Sequence, residues 1–183
     1  MNKFLSFLLL LSLSACATGK IGKVHKHLSA NAINKQTLIH VFPVTAKDTH
    51  FEGDKAGDLT RTEEEKETIK KDFHKMIAEE LTKRGYKAQA ATGKPTTGVG
   101  IYGNVRHFDH GSAAARAMVG MGAGSSNLFT DFQIVNLANS EELAKLEVIA
   151  TSGGRGGLMS MGSFLEAHLI DGSEKLSDYI AGK

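Results

Sequence analysis

Between residues 60 and 85, Ile69, Phe73, Met76, Ile77 and Leu81 recur at three- and four-residue steps, with Glu79 and Glu80 between them as the charged side. That spacing is one apolar helix face seeking an apolar surface. Thr60-Arg-Thr-Glu63 and the acidic run Glu63-Glu-Glu65 read as the helix start, because carboxylates complement the positive end of the helix dipole. Lys83, Arg84 and Gly85 supply a basic last turn and a glycine stop.

The surface to be covered is written in period two. Residues 37–42 are rich in β-branched and aromatic residues, closed by Pro43, and read as a largely buried strand; 44–60 read as a loop with turns at Gly53 and Gly57. A weak strand at 86–90 follows the helix. Residues 99–108 place Val99, Ile101, Gly103 and Val105 on one face, with glycines that imply a bulge or a neighbouring backbone. Residues 127–137 and 142–151 read as a hairpin, with Leu128, Thr130, Phe132 and Ile134 on one side of its first strand. A C-terminal helix is expected over 164–170 and 176–180, broken at Gly172. The fold class is α+β: a mixed or mostly antiparallel sheet of about five strands, with a long helix and a C-terminal helix packed on it.

The N-terminus predicts where such a domain works. Lys3 precedes an apolar stretch, 4–13, interrupted only by serines. A bilayer needs about 20 apolar residues, so this is the core of an export signal rather than a membrane span. Leu13-Ser14-Ala15-Cys16 resembles the lipobox of bacterial lipoproteins. The resemblance implies a diacylglycerol on the Cys16 thiol, cleavage after Ala15 and acylation of the new amino terminus. Cys16 is the single cysteine, so an exported chain has no second thiol for an intramolecular disulfide. Each buried methylene adds about 0.8 kcal/mol, so two or three acyl chains anchor the protein essentially permanently. In proteobacterial lipoproteins an aspartate after the cysteine marks inner-membrane retention; residue 17 is alanine, and the resemblance implies an outer-membrane, periplasm-facing location. The expected organisation is a signal peptide over 1–15, acylated cysteine and tether over 16–35, and a single domain over 36–183.

Charge is nearly balanced, with 22 basic and 20 acidic residues and no basic stripe. A nucleic-acid partner is therefore not expected.

Gly103-Asn-Val, then Arg116-x3-Gly120-x-Gly122-x-Gly124, then strands bearing Asp131 and Asn139, then Thr151-Ser-Gly-Gly154 follow one another along the chain. In these features the chain resembles an uncharacterised family of bacterial lipoproteins defined by a domain of unknown function. More loosely, the order of elements is similar to small α/β domains of envelope lipoproteins that serve secretion and lipid-transport machines. That likeness implies helices on a mixed sheet and a domain that binds partners or oligomerises.

Catalytic chemistry is not evident. The 120–124 glycines have the wrong spacing for a dinucleotide or phosphate loop, and a structural turn is the simpler reading. His107-Phe-Asp-His110 and His25-Lys-His27 pair imidazoles as metal ligands often do, but neither pair shows a third ligand, so no metal and no cofactor is assigned. Ser112, Ser125, Ser126, Ser152 and Ser160 lie in no nucleophile elbow. Arg116 and Arg155 stand beside glycine clusters and either meet a carboxylate or lipid phosphate or pair with an acid such as Asp131. The residues carried forward are Cys16 for lipid attachment, and Arg116, Gly120, Gly122, Gly124 and Arg155 for ligand or partner contact. The expected function is a non-enzymatic envelope module that binds an envelope protein or itself. The alternative is a carrier with a lipid or small hydrophobic ligand between helices and sheet.

Overall fold

The alternating segments form one layer and the helices a second. The computed structural model describes residues 19–112, 114–115, 118, 124–151 and 164–183. In chain order the elements are β1 (Lys20–Lys26), β2 (Leu38–Val41), β3 (His50–Glu52), α1 (Leu59–Thr68), a π-helical turn (Ile69–Phe73) and α2 (His74–Lys83). There follow β4 (Lys87–Ala90), β5 (Val99–Asp109), β6 (Asn127–Asn136), β7 (Glu141–Thr151) and α3 (Phe164–Ile180). Among the described residues no helix is long and apolar enough to cross a membrane.

The sheet is mixed and has seven strands in the order β1-β7-β6-β5-β2-β4, with β3 also paired to β5. β5, β6 and β7 form an antiparallel meander. β2 and β3 both run parallel to β5, one along Val99–Ile101 and the other along His107–Asp109, with a bridge from Thr45 to Asn104 between them. Residues 38–52 thus follow β5 as one interrupted strand. The five expected strands are present, and β1 and β3 are additional. Residues 20–26, read as tether, instead pair with β7; their scattered lysines hide a strand that only a neighbouring strand's hydrogen bonds stabilise. β3 lies inside the expected loop for the same reason.

The core lies between the layers. Ile101, Ile134 and Ala144 form one cross-strand row, Gly103, Phe132 and Leu146 the next, and Val105, Thr130 and Val148 a third, all buried at the helix-facing side. Gly103 is required by close approach: a Cβ there would lie 2.8 Å from Phe132 Cε1 and 3.1 Å from Val44 Cγ2. Phe73 meets Phe132 edge-on at 6.1 Å between centroids. Ile69, Phe73, Ile77 and Leu81 are fully buried, and each such side chain contributes about 1.5–3 kcal/mol.

α1 begins earlier than the acidic run suggests. Its cap is Asp58, whose carboxylate accepts from the Arg61 N–H at 3.1 Å. Glu65 is consequently buried rather than a solvated helix start. α2 ends as expected: Gly85 has φ +83°, and the Gly85 and Tyr86 N–H groups donate to the carbonyls of Thr82 and Leu81. α3 passes through Gly172 unbroken. A Cβ at Gly172 would come 3.1 Å from Phe73 Cζ, so the glycine serves close packing, which offsets its low helix propensity. Arg84 locks the helices together through ion pairs with Glu80 and with Asp178 at 2.9 Å.

Candidate functional site

The outer face of the sheet, opposite the helices, presents aromatic rings beside a row of charges. Tyr102 of β5 points outward, 39% exposed, and stacks on Phe42 with centroids 4.2 Å apart and planes 9° from parallel. Four residues along, Arg106 reaches Asp131 of β6 at 3.4 Å and pairs with Glu147 of β7. Its guanidinium also stands over the Phe129 ring at 6.0 Å. Aromatic residues and arginine on one face are the side chains enriched where proteins meet.

The sheet's edges are less inviting. β1 carries Lys20, Lys23 and Lys26 and two register shifts against β7, and β4 has four residues. Lysines, bulges and short length are the features that discourage strand addition.

A β-bulge organises the far end of the outer face. Between Val105 and His107 the pairing of β5 with β6 shifts register. The extra residue turns His107 outward beside Arg106 and returns Phe108 to the core, where it is fully buried. His107 stacks on Phe129, with centroids 5.1 Å apart and planes 11° from parallel, and pairs in register with His50 of β3. Glu52, two residues after His50, places Oε2 3.1 Å from His107 Nε2. The donor atoms of His50, Glu52 and His107 all lie within 4.8 Å of one another.

His107 and His110, close in sequence, are not brought together, because the odd step from one position to the other beyond the bulge sends the two rings to opposite faces. His110 points inward, where its Nε2 lies 2.8 Å from Glu65 Oε2, and Glu65 in turn accepts from Arg61 Nε at 2.9 Å. Deeper still, Ser126 Oγ and His168 Nε2 lie 3.0 Å apart, both buried. His25 and His27 are exposed on and after β1.

Of the residues carried forward from the sequence, Cys16, Arg116, Gly120, Gly122 and Arg155 lie outside the described residues. Gly124 has φ +67°, and its carbonyl accepts from the Ser112 N–H at 3.2 Å, closing the base of the segment between β5 and β6. Asp131 is engaged by Arg106. Asn139 Oδ1 accepts from the Glu141 N–H in the hairpin turn, and the Thr151 hydroxyl donates to Asn127 Oδ1. Sequence reasoning missed His50, Glu52, Glu65 and His168. One signal was present, since His50-Phe-Glu52 and His107-Phe-Asp109 repeat a histidine, phenylalanine, acid pattern on what prove to be paired strands.

No curated protein matches the sequence. Among solved structures, the PelC dodecamer from Paraburkholderia phytofirmans is similar in fold, with 11% identity, TM-score 0.53, and 88% of this chain and 96% of that chain covered. A point variant of the same dodecamer gives 10% identity, TM-score 0.54 and the same coverage. Protein XCC0632 from Xanthomonas campestris, of the family DUF330, has 11% identity and a TM-score of 0.40 over 87% of this chain and 90% of that one. The family profile of a domain of unknown function, DUF4410, matches residues 29–156, the greater part of the strands and helices described above, and the chain belongs to that family.

Proposed function

We propose that this protein is an envelope lipoprotein, anchored through acylated Cys16, whose α+β domain is a non-catalytic assembly module. It meets an envelope protein or further copies of itself through the outer face of the sheet. The observation that carries this reading is the outward row of Phe42, Tyr102, Phe129 and Arg106, on a sheet whose edges discourage strand addition. The dodecameric state of PelC, which shares the fold, is in keeping with self-association.

The anchor sets the orientation. Because β1 starts at Lys20, only residues 17–19 separate Cys16 from the sheet. A fully extended chain over that interval reaches about 14 Å. Gly19 is held by Asp171 Oδ2 at 2.9 Å, and Lys20 pairs with Ile149 near the end of β7. That end of the sheet therefore faces the bilayer, and the hairpin turn after β6 points away from it.

A carrier of lipid between helices and sheet has less support. That interlayer space is filled by Ile69, Phe73, Ile77, Phe132, Leu169 and Leu176, none more than 1% exposed. A cleft of about 720 Å³ beside α1 is open and lined largely by charged residues such as Glu64, Glu67, Lys70 and Lys71. A hydrophobic ligand wants a concave, mostly apolar site. The test is native mass spectrometry of the anchored protein extracted in mild detergent. The assembly reading expects a discrete oligomer or heteromer without bound lipid beyond its acyl chains. A monomer carrying stoichiometric lipid would replace it with the carrier reading.

A further inference from the structure

We infer that His50, Glu52 and His107 form a binding site for a late first-row divalent cation, with Zn²⁺ as the representative ion. None of these three ligands belongs to the row that carries the assembly reading.

The donor set comes first. Two imidazoles and a carboxylate are the three protein ligands of many open zinc sites, which leave a fourth position for water or another group. Imidazole and carboxylate together suit zinc, copper and nickel better than calcium or magnesium. Pairing β3 in parallel with β5 makes this set from two short stretches far apart in sequence. The register places His50 opposite His107 and Glu52 opposite Asp109, with His50, Glu52 and His107 on the outer side. Asp109 is not counted as a ligand, because its Oδ1 accepts from the Gly111 N–H at 2.7 Å.

The distances fit a modest closure. Two ligand atoms about 2.0–2.1 Å from a tetrahedral ion sit about 3.3 Å apart. Glu52 Oε2 and His107 Nε2 are already at 3.1 Å. All three donor atoms fall within 4.8 Å, and rotation of the exposed His50 and Glu52 side chains about their own bonds covers the difference.

Two features single out His107. The bulge between Val105 and His107 brings this ring out of the core, and bulges recur where a strand re-aims a side chain. Its Nε2 is also buried and makes no hydrogen bond of proper geometry. Glu52 Oε2 is close, yet the two atoms do not meet the geometry of a hydrogen bond, so that nitrogen has no hydrogen-bond partner. A metal ion beside Glu52 would take up its lone pair. Stacking on Phe129 holds the ring's plane, and Asp131 and Glu147 draw the nearby Arg106 charge to themselves.

The test is a Zn²⁺ titration of the full chain in detergent micelles after chelator treatment, followed by calorimetry and by competition with a chromophoric chelator. The expected result is one Zn²⁺ per chain with a Kd of about 10 μM or tighter, weakened at least tenfold in His107→Ala and in His50→Ala and unchanged in the double variant His25→Ala/His27→Ala. Absence of saturable one-to-one binding overturns the inference. So does an unchanged Kd in His50→Ala, or loss of binding in the His25/His27 variant alone. Circular dichroism melts of the metal-free variants establish folding; should His107→Ala fail to fold, His50→Ala, which alters an exposed ring, decides the matter.

Discussion

Glu65 and His110, 45 residues apart in sequence, meet at 2.8 Å beneath the surface and join the first turns of α1 to the end of β5. Both side chains are less than a tenth exposed, and Arg61 completes the chain of contacts. Removing one member of a buried, hydrogen-bonded pair leaves the other desolvated. Glu65→Ala is expected to cost about 2–4 kcal/mol, read from urea denaturation, and Glu65→Gln less, because the amide keeps one partner. A cost under about 0.5 kcal/mol for Glu65→Ala would show that the contact is not maintained in solution.

His74 provides a pH-dependent term. Burial, then the charge of Lys75, lower its pKa below the ordinary imidazole value, against the opposing pull of Asp72 and the nearby Lys70 backbone. A histidine with a depressed folded pKa stays neutral while the unfolded chain takes up a proton. Its contribution is full above about pH 6.5 and declines as pH falls from there toward the folded value. His74→Leu is expected to flatten the fall in melting temperature between about pH 6.5 and 5. An identical slope in the variant would contradict the assignment.

Arg84 clamps α2 to α3 through Glu80 and Asp178, and donates to the Glu174 carbonyl. Burial raises the Glu80 carboxyl, but hydrogen bonds from Lys83 and Arg84 outweigh it and hold the group below its usual range. The pair's stabilisation is therefore present above about pH 4.5 and lost as pH falls through the depressed value. Arg84→Ala should cost about 2 kcal/mol at neutral pH and lose part of that difference in acid. Thermal melts at pH 7 and pH 3 check both parts.

Gly103→Ala tests the packing of Phe132 over β5. The added methyl would stand 2.8 Å from the ring, and overpacking of this kind costs about 1–3 kcal/mol. Gly57→Ala, which meets nothing within 4 Å, is the control and should change stability by less than about 0.5 kcal/mol.

The helix-facing rows were legible in the sequence because each is a local period: 69, 73, 77 and 81 on the helix, then 99 to 105 and 128 to 134 on strands. β1 and β3 were not, since seven residues with three lysines and three residues centred on Phe51 acquire strand character only from the neighbours they pair with. The grouping of His50, Glu52 and His107 was invisible for the same reason, compounded by a bulge that no local pattern announces. Gly172 illustrates the converse. Its propensity argued for a break, and contact with Phe73 from a distant helix prevails.

Anchoring predicts a gradient of membrane proximity. If the chain's one cysteine is acylated as proposed, an introduced thiol labels a single site. A fluorophore at Lys20→Cys should be quenched by lipids spin-labelled at the headgroup, while one at Asn139→Cys, at the far hairpin turn, should not. Cys16→Ser should abolish palmitate incorporation and release the domain from membranes.

Site-specific photo-crosslinking in intact cells tests the proposed role most directly, with the photoreactive residue placed at Tyr102 on the outer sheet face or at Lys75 on the helical side. A discrete adduct is expected from Tyr102, either a multiple of this chain's mass or a complex with one defined envelope protein, and none from Lys75. Anchored protein that gives no adduct at Tyr102 above the Lys75 background would contradict it.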